Sequence, residues 1–163
     1  MHVIPVAIAL LLTVAAGCGA VDRDSGHDTA AGDAFVQGAN VIGELVDSLA
    51  TIEGKFRQVN LQWQFDGDDS MFRRIAGHGD SALAILVECL DRAEPAAATV
   101  NGRRVLVGVM CYTVLQRTAY PTEHEDGSGE WAGVVFPTAS AGELEAAKAA
   151  WQEVLATGRY RLP

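Results

Sequence analysis

The chain is short of cations: 12 Lys and Arg stand against 21 Asp and Glu over 163 residues, a formal charge of −9. A basic footprint able to neutralise phosphates is therefore missing, which excludes nucleic acid as a partner and disfavours adhesion to anionic lipid. Charged side chains are absent altogether from Met1 to Ala16. The apolar run there, Val3 to Ala16, falls short of the roughly 20 residues that a bilayer span needs. Missing too are Gly-x-Ser-x-Gly, His-Glu-x-x-His, the phosphate loop and the dinucleotide fingerprint, so no cofactor is implied. Cysteine is limited to Cys18, Cys89 and Cys111.

What the N-terminus does have is an apolar core of signal-peptide length ending in Val14-Ala15-Ala16-Gly17-Cys18. Small residues immediately before a cysteine resemble the lipobox of bacterial lipoprotein precursors. The resemblance implies that residues 1–17 are a signal peptide, that Cys18 is diacylated and becomes the mature N-terminus, and that the domain sits on the cell envelope without a spanning helix. The pattern departs from the family in two places. Only His2 and the α-amino group precede the apolar run, and alanine replaces the commoner leucine three residues before the cysteine. Ordinary cleavage after small residues, releasing a soluble protein, is the other reading. Residues 18–33, rich in Gly, Ala and Asp, hold too little apolar side chain to offset chain entropy and read as a flexible tether.

Residues 34–163 then form one domain, which the apolar periodicity predicts to be mainly α. Phe35, Ala39, Ile42, Val46, Leu49 and Ile52 recur every three or four residues, predicting a helix from Ala34 to about Lys55. Val59 to Phe65 switches to strict alternation, a strand signature, with a continued helix as the alternative. Asp66 to Ser70 supplies a turn before a short helix, Ser70 to Ala76, closed by Gly77. Leu83, Leu86, Val87 and Leu90 make one helical face, with Ile85 and Cys89 on the next, so the segment Ser81 to Asp91 should be buried nearly all round. Val105 to Ala119 repeats that pattern and should stop before Pro121, although its β-branched first half also suits a strand. Between these segments, Asn101-Gly102 fits the tip of a small β-hairpin from Thr99 to Val105. Near the C-terminus, Ser140 and Glu143 match a capping box, and Gly158 closes the helix that follows.

Gly79-Asp80-Ser81-Ala82-Leu83-Ala84-Ile85-Leu86-Val87-Glu88-Cys89-Leu90-Asp91 resembles the inner helix of HEAT-type repeats. What this implies, over residues 79–119, is a buried helical hairpin and a protein-binding surface, with no catalytic residues. A second copy at the expected period of roughly 40 residues is not visible, so a solenoid is not expected.

Three stretches invite chemistry. Asp66, Asp68 and Ser70 superficially suggest a calcium loop, but Met71 stands where glycine is needed and Gly77 where a bidentate glutamate belongs, which excludes an EF-hand. Glu123, His124, Glu125, Asp126 and Glu130 gather carboxylates and an imidazole on one Gly-containing loop; they are the candidates for a cation, and a merely solvated charge run is the competing account. Gly79-Asp80-Ser81 matches the opening of a hydrolase nucleophile block, yet no His follows His124 to act as base, and helix initiation explains the triplet better. Cys89 and Cys111 are expected to pair, closing a loop of about twenty residues worth roughly 3 kcal/mol, or else to pack as buried free thiols. The functional expectation is an envelope lipoprotein that binds, inhibits or assembles another envelope protein, held to the membrane by its lipid. The alternative is an envelope hydrolase or cation-dependent enzyme using the loop 123–130.

Overall fold

The computed structural model describes residues 29–122 and 133–163, with side chains from residue 38 onward. Its elements run α1 (Thr29–Asp47), a 3₁₀ turn (Ser48–Thr51), β1 (Gly54–Val59), β2 (Gln62–Gly67), α2 (Ser70–Ala76), α3 (Asp80–Glu88), a second 3₁₀ turn (Cys89–Asp91), β3 (Pro95–Val100), β4 (Arg103–Leu106), α4 (Val107–Thr118), β5 (Tyr120–Pro121), α5 (Ala141–Thr157) and β6 (Tyr160–Arg161). Among the described residues, no helix is long and apolar enough to cross a membrane.

The expectation of a mainly α domain is wrong. A four-stranded sheet, in the order β2-β1-β3-β4, forms one layer; β1 and β3 are parallel and both outer pairs are antiparallel hairpins. The helix predicted to reach Lys55 ends early: α1 stops at Asp47, the chain tightens through Ser48–Thr51, and β1 begins at Gly54. The alanine run after Glu94 is likewise a strand. Ala96, Ala98 and Val100 point inward on alternate positions and are buried, while their neighbours face out. Small side chains leave little periodic signal in the sequence, so here tertiary packing overrides the helix preference of an alanine run.

The two apolar segments do form neighbouring helices. α3 and α4 pack on each other, and the β3–β4 hairpin is inserted between them in sequence, with Asn101 at φ 50° and Gly102 at φ 76° making its turn. α4 is the most enclosed element: from Val107 to Tyr112 every residue is buried. Sheet, α2, α3 and the Cys89–Asp91 turn pack around it, which leaves the pair as a core and not the free face of a HEAT-like hairpin. The closest approach is at Gly108. Its amide donates to the Arg92 carbonyl at 2.9 Å, and a Cβ there would collide with the Leu90 carbonyl oxygen.

α5 closes the other side of the core with Leu144, Ala147, Trp151 and Val154 buried, and Trp151 Nε1 donates to the Gly133 carbonyl at 3.1 Å. Both halves of the predicted capping box form: Ser140 Oγ accepts from the Glu143 amide, and Glu143 Oε2 accepts from the Ser140 amide at 2.7 Å. Gly158 ends the helix at φ 66°. The tail then returns as β6 against β5, and Tyr160 Oη donates to Asp80 Oδ1 at 2.6 Å, while Leu162 is exposed.

Candidate binding cleft

The β1–β2 hairpin overhangs α4. Phe56, Trp63 and Phe65 project from the inner face of the hairpin, and Val109, Tyr112, Thr113, Gln116 and Arg117 from the facing side of the helix, around a cleft of about 370 Å³. Period-2 alternation places Trp63 and Phe65 on one face of β2, while Tyr112 and Gln116, or Val109 and Thr113, share a helix face at four-residue spacing. The aromatic floor is continuous. Phe65 lies between Phe56 and Phe72, with ring centroids 5.2 Å and 5.0 Å away, and Gly54 and Gly67 leave the space that its ring fills. Trp63 and Phe65 are half-buried, so each keeps one side open.

Four polar side chains of the lining, Tyr112, Thr113, Gln116 and Arg117, are already engaged, whereas Gln64 and the Trp63 indole N–H have no partner among the described residues. Arg117 Nη1 donates to Asp69 Oδ2 at 2.8 Å and lies over the Phe72 ring, 5.3 Å from its centroid, tying α4 to the start of α2. That hydrogen bond holds the Asp69 carboxyl below its ordinary range. Gln116 Nε2 donates to Tyr112 Oη at 3.0 Å, and Thr113 Oγ1 to the Val109 carbonyl at 2.8 Å. Burial raises the Tyr112 hydroxyl above its usual pKa, so it stays a neutral phenol. Such a lining offers apolar contact and neutral hydrogen bonds. It holds no described pair of groups arranged to move a proton or attack a substrate.

A second hollow, about 440 Å³, lies at the β3–β4 turn between Arg103, Arg104 and residues 137–139. Neither arginine has a partner among the described residues.

The residues singled out in the sequence fall in three groups. Cys18, and the cation candidates Glu123, His124, Glu125, Asp126 and Glu130, lie outside the described residues. Among the described residues there is no group of three or more His, Cys, Asp or Glu able to hold a metal ion. Cys89 and Cys111 are brought together, their Cα atoms 6.0 Å apart and their sulfurs at bonding distance, beside the tight contact at Gly108. The aspartates of the false calcium loop disperse: Asp66 pairs with Arg57, Asp68 Oδ1 accepts from the Ser70 amide at 2.9 Å, and Asp69 takes Arg73 and Arg117. Gly79-Asp80-Ser81 opens α3 with Gly79 at φ 53°, and His78 is exposed on the preceding turn.

The cleft itself escaped the sequence. Only Trp63 and Phe65 left a trace, as the aromatic half of the Val59–Phe65 alternation; the helix that faces them was legible as core alone. What fold and cleft define is a small α+β domain with a one-sided mixed sheet. Neither protein-family profiles, nor curated proteins, nor solved structures give a match to this chain.

Proposed function

We propose that this protein is an exported, lipid-anchored binding domain of the bacterial cell envelope, which engages another envelope protein at the cleft between the β1–β2 hairpin and α4. The lipobox-like Val14–Cys18 supports the address, and the stretch between Cys18 and the start of α1 at Thr29 would serve as the tether. The observation that carries the binding reading is the lining of the cleft. Half-buried Trp63 and Phe65 stand open beside Tyr112, while Thr113, Gln116 and Arg117 are satisfied internally. Exposed aromatics in a concave site are the usual anchors of protein recognition, because they bring large apolar area with few rotamers to freeze.

The HEAT-like hairpin no longer serves as the contact surface, since both of its helices are core. Two measurements test the proposal on the full chain in its native envelope. Mass spectrometry of the mature N-terminus should find an acylated Cys18; a retained Met1, or a start elsewhere without acyl mass, removes the address. A photo-crosslinking residue in place of Gln116 should yield one discrete protein adduct that Trp63→Ala abolishes. Labelling spread over many proteins, or unaffected by Trp63→Ala, removes the cleft as the site.

A further inference from the structure

The sheet has two edges, and they are built differently. β4 spans only Arg103–Leu106, carries two adjacent arginines, and pairs with β3 through a register shift. Shortness, charge and irregularity are the devices by which natural sheets discourage addition of another strand. β2 is neither short nor irregular, and its one charged residue, Asp66, is paired with Arg57 of β1. Its six residues, Gln62–Gly67, keep unbroken register with β1 and contain no Lys, Arg or Pro. Val59 and Gln62 flank a two-residue turn and form a hydrogen-bonded pair, and pairs alternate from there, so the main-chain groups of Trp63, Phe65 and Gly67 point away from β1. Among the described residues nothing bonds to them.

Strain sits at the tip of the same hairpin. Asn60 has φ 51° and Leu61 φ 66°. The turn demands positive φ at both positions, which asparagine tolerates and a leucine resists because its Cβ crowds the following carbonyl. Leu61 is also the most exposed large apolar residue among those described, at 89%. A glycine would satisfy the turn at lower energy, so a strained, solvent-facing leucine points to a contact made elsewhere.

We propose that β2 pairs antiparallel with β2 of a second copy of this chain, about a two-fold axis through Gln64, joining two four-stranded sheets into one. The register follows from the free main-chain groups. Centring on Gln64 sets the outward-facing groups of Trp63 against those of Phe65 of the second copy, and the reverse, so that every bond is made twice. The same register sets Gln62 opposite Asp66, brings no like charges face to face, and lays Leu61 beside Gly67, which has no side chain to obstruct it. Trp63 and Phe65 become cross-strand aromatic partners on the inner face, where such pairs are favourable. The two clefts then open side by side along the axis.

The axis residue gives the test, on the purified full chain. Sedimentation velocity should show a concentration-dependent dimer. Gln64→Lys and Gln64→Glu each set like charges directly opposite and should raise the dissociation constant roughly fivefold or more, whereas an equimolar mixture of the two should recover a mixed dimer. Gln64→Cys should link to itself under mild oxidation, and Arg104→Cys, on the other edge, should not. Leu61→Gly separates the two roles of the leucine, since it should raise the melting temperature of the monomer and weaken the dimer. A chain monomeric at all concentrations, equal sensitivity to charge at Arg104, or single Gln64 variants that dimerise as well as their mixture overturns the proposal.

Discussion

At the scale of single residues, the constraint around Gly108 is the sharpest in the molecule. Here α4 leaves β4 and passes against the turn Cys89–Asp91, with the Gly108 amide bonded to Arg92 and the Val107 amide to Glu94, each at 2.9 Å. A methyl group would meet the Leu90 main chain and the Leu144 side chain together. The leucine can rotate away, but the carbonyl belongs to a turn fixed by its own hydrogen bond and by Cys89. Gly108→Ala should therefore destabilise the fold by about 3 kcal/mol, the upper end of overpacking costs, although alanine normally favours a helix. Urea denaturation would show this as a lower midpoint with an unchanged slope; a midpoint within error of the parent would mean that the turn is free to give.

At the scale of elements, legibility tracked how local the cause was. α5 was readable at both ends because its stop and start signals lie inside the helix itself: Ser140 and Glu143 exchange hydrogen bonds across three residues, and Gly158 supplies the left-handed cap. Ser140→Ala removes the acceptor for the Glu143 amide and should cost about 1 kcal/mol, measured as a lower melting temperature, whereas Ser140→Thr, which keeps a hydroxyl beside the Glu143 carboxylate, should be close to neutral. α2 was equally local, bounded by Asp69 and Gly77. β1 and β3 were not. β3 is buried on alternate positions and β1 only at Phe56, and each takes its place beside a parallel partner from the far side of α2 and α3, with Lys55 opposite Thr99 and Phe56 opposite Val100. Nothing in a window of ten residues carries that information. The cleft combines one element of each kind, which is why half of its lining was visible as alternation and the other half was indistinguishable from core.

The same scale includes the pair Cys89 and Cys111, which links the end of α3 to the first turns of α4. If the sulfurs are joined, the bridge closes a loop across the entire β3–β4 hairpin, and its effect falls chiefly on the unfolded chain. Reduction under native conditions should then lower stability by roughly 3 kcal/mol while leaving the far-ultraviolet circular dichroism of the folded state unchanged. Two thiols that react with alkylating reagent in the untreated, denatured protein would show instead that the pair packs as small hydrophobes.

For the whole molecule, the net negative charge is organised by a few cations that bridge elements. Lys148 on α5 reaches Glu88 at 2.8 Å and Asp91 at 3.0 Å, and Arg92 reaches Asp47 at 2.6 Å as well as Glu94. Arg117 holds Asp69 across α4 and α2. In each of four carboxylates the folded state favours the ionised form: Asp68 through the Ser70 amide, Asp69 through the Arg117 hydrogen bond, Glu88 through that from Lys148, and Glu143 through the Ser140 amide. A group whose folded pKa is lowered contributes stability that is present above its unfolded value and lost as pH falls through the folded one. Unfolded carboxylates titrate near pH 4, so the melting temperature should be flat down to about pH 5 and drop steadily below about pH 4. At the other end, hydrogen bonding to Asp80 raises the Tyr160 hydroxyl and burial raises that of Tyr112, so their contribution is intact below the unfolded value near 10 and fades only as pH rises past it. The acid limb is the more diagnostic of the two, because its partners are separable by mutation. Asp69→Asn keeps the shape of the side chain but no longer titrates, and should flatten part of the acid limb while lowering stability at neutral pH. An acid limb of unaltered steepness in that variant would place the linkage in carboxylates other than those bridging α2 and α4.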